Sequence, residues 1–135
     1  MFARAAKVLP PGLPPCLKKR RLLNEAELNP SLARDLGEKF LALGWWEDAL
    51  EFFLKAGDQA GLARVKTHAL ETGDAYLLTR LGGADPEDWR RLGEQALALS
   101  KLQFARKAFE KAGDREKSEA VGRLLEERGP AAVIN

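Results

Sequence analysis

The chain has 135 residues, 45% of them apolar and 31% charged, which is enough for one core of ordinary size and too polar for a membrane protein. No run of about 18 apolar residues occurs, and the opening segment lacks the unbroken apolar stretch of a secretory signal. One cysteine, Cys16, and one histidine, His68, supply neither an internal disulfide nor a zinc-binding cluster, so the expectation is a cytoplasmic chain without cofactors.

The net charge of +2 is unevenly placed. Arg4, Lys7, Lys18, Lys19, Arg20 and Arg21 all precede the first acidic residue, Glu25, so residues 1–24 carry +6. The remaining 16 basic and 20 acidic residues leave residues 25–135 at −4. Between the basic groups lies "PPGLPP", whose prolines fix φ and withhold amide donors. Residues 1–24 therefore read as an extended, proline-rich basic arm, and residues 25–135 as a separate helical domain. A chain begun at Asn24 is expected to keep its helices.

Beyond the arm the punctuation is helical, and strand-like alternation is absent. Asn29 and Pro30 make an N-cap with proline at the first helical position, starting a helix that runs to about Leu43 before Gly44. A second helix spans about Trp46 to Ala56 and ends at Gly57. Asp58 caps a third, reaching about Thr72, and Gly73 and Asp74 hand over to a short fourth, "AYLLTRL". Asp85 and Pro86 then restart the cycle, with helices to about Leu99, from about Leu102 to Ala112, and from Asp114 to the Gly129–Pro130 stop. Seven helices are predicted.

The tetrad "KAGD" occurs at 55–58 and again at 111–114. Pro30 and Pro86, Arg34 and Arg90, "LGE" at 36–38 and 92–94, Ala49 and Ala105, and Phe53 and Phe109 are separated by the same interval, without a gap. Two copies, 29–73 and 85–129, are thereby defined.

Trp89, Leu92, Gly93, Ala105, Phe109 and Ala112 have a spacing that resembles the tetratricopeptide pattern: W-x2-L-G, then A-x3-F, then a small residue. Small residues are needed where two helix backbones approach, and large ones fill the space beside them. The interval between the copies exceeds that family's period of about 34, and Ala33 stands where the first copy would carry tryptophan. The string is also similar to the α-solenoid repeats of vesicle coatomer and intraflagellar transport subunits, which tolerate extra helices. The resemblance implies an all-α, short solenoid of antiparallel hairpins acting as an adaptor or scaffold.

His68 has no partner at a spacing that would orient it for catalysis, the carboxylate pairs fall at helix starts or outward faces, and "LGGADP" follows a helix and lacks a lysine. No enzyme is expected. The partner is expected to be a protein, either an extended peptide or a neighbouring subunit. If the first helix of each hairpin lines the concave side, as the resemblance implies, Arg34, Glu38, Leu41, Arg90, Glu94 and Leu97 face it. Arg and Glu four apart can equally pair on the helix surface. Trp45, beside Trp46 in a turn and aligned with Lys101, reads as an exposed interface anchor, while Trp46, aligned with Leu102, reads as buried. Lys18, Lys19, Arg20 and Arg21 could contact a protein partner, an anionic membrane surface or nucleic acid, the last giving the alternative reading of a polyanion binder.

Overall fold

The structure, a computed structural model, describes residues 12–25 and 27–128. Among these there are eight helices and no strand: α1 Cys16–Asn24, α2 Pro30–Ala42, α3 Trp46–Ala56, α4 Gln59–Thr72, α5 Ala75–Leu81, α6 Pro86–Ala98, α7 Leu102–Ala112 and α8 Arg115–Arg128. The described residues divide into two compact units, one up to Leu62 and one from Ala63 onward.

In the first unit α2 starts where Asn29 accepts hydrogen bonds from the amides of Ser31 (2.8 Å) and Leu32 (3.4 Å), and Pro30 supplies helix-ready φ at the first position. A short turn reverses the chain into α3, whose first-turn Glu47 and Asp48 favour the positive end of the helix dipole. Gly57 closes α3 in the left-handed conformation at φ +65°. The hairpin core is Ala33, Leu36, Phe40, Ala49, Leu50, Phe52 and Phe53, with the rings of Phe40 and Phe52 stacked at 5.6 Å. Gly37 allows α2 and α3 to close on each other: a Cβ there would lie 2.6 Å from the Phe53 ring.

The expected extended arm ends sooner than residue 24. Residues 12–15 carry no helix, but Cys16–Asn24 forms α1, which packs on α3. No side chain caps α1. What holds it is tertiary: Lys19 reaches Asp48, buried to 2% exposure on α3, and lies 3.5 Å from Glu51. The helix count is therefore one more than the seven expected, and a chain begun at Asn24 loses this contact. Residues 1–11 of the arm lie outside the described residues.

The second unit is built on α6 and α7, again with a glycine at the crossing: a Cβ on Gly93 would lie 2.7 Å from the Phe109 ring. Asp85 and Asp88 form a reciprocal capping box at the start of α6 (2.8 and 3.2 Å). The part of α4 from Ala63 on lies beside α6, through Lys66 to Asp88 (2.9 Å) and Gln95 donating to the Glu71 carbonyl (2.8 Å). From the turn after α6, Lys101 donates to the Thr72 carbonyl (2.5 Å). On the other side Lys117 of α8 pairs with Glu94 at 3.0 Å. Helix α5 packs on α7.

The helix limits recur at the interval read from "KAGD": α6, α7 and α8 begin and end at the positions that α2, α3 and α4 reach when shifted from 55 to 111. One period holds four helices rather than two. A helix follows each hairpin in the chain, α4 and α8, and another precedes it and packs on its second member, α1 on α3 and α5 on α7. Gly44, at φ +76°, is matched by Ser100, at φ +62°, the one non-glycine at positive φ among the described residues. A side chain in that region costs about 1–2 kcal/mol, and glycine's own entropic penalty returns part of this. Ser100→Gly should therefore stabilise the chain by about 0.5–1 kcal/mol, read as a higher urea midpoint. An unchanged or lower midpoint would show that Ser100 is unstrained.

Candidate functional site

The sequence-derived candidates fall in three places. On α2, Arg34 and Glu38 are exposed and Leu41 is half-buried. On α6, Arg90 is half-buried and bonds Glu87 (2.5 Å), while Glu94 is held by Lys117 of α8. The anticipated pairing of Arg and Glu four apart is thus replaced on α6 by two other ion pairs. Glu94 also borders an open groove of about 320 Å³ with Leu70, Glu71, Arg91 and Gln95.

On α1, Lys18, Arg20 and Arg21 are exposed, and Lys19 is turned inward. Burial alone would lower the Lys19 pKa, but its hydrogen bond to Asp48 and the charges of Asp48 and Glu51 outweigh this and hold it above the ordinary lysine value. One of the four cations grouped as partner contacts is therefore a structural tie. Asp48 is the residue that sequence reasoning passes over. Its signal is a carboxylate one turn before Phe52 on a face that is otherwise apolar.

Trp45 and Trp46 do not divide into one exposed and one buried ring, since both are half-buried. The Trp45 ring lies 5.8 Å from that of Phe40, tilted by 31°. In the second copy the positions of Phe40 and Trp45 hold Ala96 and Lys101, and Leu102 is buried as expected. Phe40 is what draws Trp45 inward. Trp45→Ala should consequently cost about 1 kcal/mol of stability, the worth of one aromatic pair, measurable as a lower urea midpoint, where the sequence alone suggests none.

The apolar surface lies elsewhere. Around the α6–α7 turn, Leu97 (38%), Leu99 (46%) and Phe104 (38%) are exposed, and in the α2–α3 turn Leu43 is 39% exposed at the position matching Leu99. Of these only Leu97 is among the sequence-derived candidates. Leu99 and Phe104 flank the turn rather than sharing one helical stripe, so periodicity does not reveal them.

His68 is half-buried in α4, and burial, helped by Lys101, lowers its pKa against the opposing charges of Asp74 and Glu71. Among the described residues no group of three or more His, Cys, Asp or Glu could hold a metal ion, and no helix is long and apolar enough to cross a membrane.

Compared with protein-family models, curated proteins and solved structures, the chain finds no match.

Proposed function

We propose that this chain is a non-catalytic adaptor or scaffold subunit, built as a short α-solenoid of tetratricopeptide-like character, that binds an extended peptide or a neighbouring subunit. The observation that carries the reading is the exposure of large apolar side chains around both hairpin turns at matching positions, Leu43 in one and Leu99 in the other. Leucine in water at a turn gains nothing for the fold and leaves apolar area that a partner can bury. The sequence spacing of Trp89, Leu92, Gly93, Ala105 and Phe109 supports the same class of repeat.

The test is recovery of cross-linked partners from cells expressing the parent chain or the Leu43→Glu, Leu99→Glu double variant, quantified by mass spectrometry. At least one partner should fall tenfold or more, about 1.4 kcal/mol of binding free energy, while the melting temperature stays within a few degrees. Equal recovery of every partner by both chains would sink the reading. A second reading, polyanion binding, is favoured by the exposure of Lys18, Arg20 and Arg21. It predicts retention on heparin that falls steeply with salt and is lost when these three become glutamine.

A further inference from the structure

On α6 one stripe of side chains is met along its length by the part of α4 from Ala63 on. Asp88, Arg91 and Gln95 stand three and four residues apart, on one face of the helix. Lys66 pairs with Asp88 at 2.9 Å, Arg91 shares a groove with Leu70 and Glu71, and Gln95 bonds the Glu71 carbonyl. Carried back to the first copy, the same stripe on α2 is Leu32, Asp35 and Lys39.

The last member of that stripe has the chain beside it. A Cβ on Gly12 would lie 3.3 Å from the Lys39 ammonium, and Pro14, at the position matching Leu70, is buried as Leu70 is. Leu32, at 44%, and Asp35 are exposed. The positions that match Val65 and Lys66 of α4 are Leu9 and Pro10. Where the second copy sets lysine against aspartate, the first therefore sets proline against leucine, so both members change from charged to apolar together. From Lys39 to Leu32 is roughly 10 Å along a helix, which about three extended residues span. A chain held at Gly12 can thus bring Leu9 and Pro10 to Leu32.

We propose that the face of α2 at Leu32 and Asp35 is the docking site of this chain's own residues 8–11, which take there the place that α4 takes on α6. Leu9 and Pro10 cover Leu32 and remove apolar surface from water on both sides. A second copy is the poorer occupant: its α8 corresponds to α4 but carries Glu126 where α4 has Leu70, so Asp35 would meet a like charge. A tethered segment is also present at an effective concentration on the order of millimolar, which a free peptide has to exceed. Docking of this kind goes beyond the adaptor reading and does not depend on it. It makes part of the basic arm a cover for the first unit.

The experiment is paramagnetic relaxation on the full chain, with Cys16→Ser and a nitroxide on Lys7→Cys. The amide resonances of Leu32 and Asp35 should lose at least tenfold in intensity against the reduced label. Leu9→Glu, which sets a carboxylate against Leu32, should restore them while helical circular dichroism stays unchanged. Leu9→Ser and Leu32→Ser should each lower the urea midpoint, and the two together should lower it no further than the larger of them alone. Intensities that survive beside the nitroxide, a loss that Leu9→Glu leaves as it was, or additive effects of the two serine variants overturn the proposal. Loss of the same resonances in an isotope-labelled chain without nitroxide, mixed with the nitroxide chain, assigns the face to a second copy and overturns it as well.

Discussion

Phe109→Ala will lower the stability of the second unit by about 3–5 kcal/mol, the range for removing a fully buried aromatic ring. Phe109 is 1% exposed, and its ring lies against the backbone of Gly93. Glycine has no side chain with which to fill the space, so the cavity should persist, and the cost should approach the upper end of the range. Urea denaturation followed by circular dichroism reads the effect directly. A loss under about 1 kcal/mol, below the range expected for such a deletion, would mean that the α6–α7 crossing is not as close as Gly93 implies.

Lys19→Met should be the second most damaging change, and its cost should depend on pH. Breaking a buried ion pair by removing one partner costs about 3–5 kcal/mol when the other is left uncompensated. Lys19 keeps about a fifth of its side chain in water and Asp48 has further interactions, so about 2 kcal/mol is the better expectation. Because the folded pKa of Lys19 is raised, its contribution is fully present below the unfolded lysine value of about 10.4 and is lost as pH rises through the folded value. The parent should therefore begin to lose its advantage over Lys19→Met as pH rises past about 10.4. An equal gap between the two chains at pH 7 and pH 11 would show that Lys19 acts by packing alone.

Where local chemistry sets an element, the sequence is enough to find it. Asn29 with Pro30, Asp85 with Pro86, and the glycines at 57 and 113 mark helix ends through bonds made within a few residues, and seven helices follow from such signals. Helix α1 escapes them because nothing local begins it: proline precedes it without a side-chain cap, four cations follow one another, and the residue that fixes it, Asp48, stands 29 positions away. The tryptophans mislead for a related reason. Aligning Trp45 with Lys101 assigns it to water, but its environment is set by Phe40, where the other copy has Ala96. Of the exposed apolar side chains around the α6–α7 turn, Leu97 is legible from the register, whereas Leu99 and Phe104 belong to no helical stripe that periodicity picks out.

The ring of Phe53 is held by two glycines, Gly37 of α2 and Gly61 in the first turn of α4, each placed so that a Cβ would fall 2.6 Å from it. In the other copy the place of Gly61 belongs to Lys117, whose ammonium stands 5.5 Å from the centroid of Phe109 on a flexible chain. The two phenylalanines are equally buried but differently confined. Backbone presses on Phe53 from both glycines and cannot yield by a rotamer change, so the ring can turn over only when the helices part. Its flip rate, visible as separate or merged resonances for the two ring edges, is thus a clock for the breathing of the first hairpin, while the ring of Phe109 meets glycine backbone at Gly93 alone and has a flexible lysine where Phe53 has Gly61.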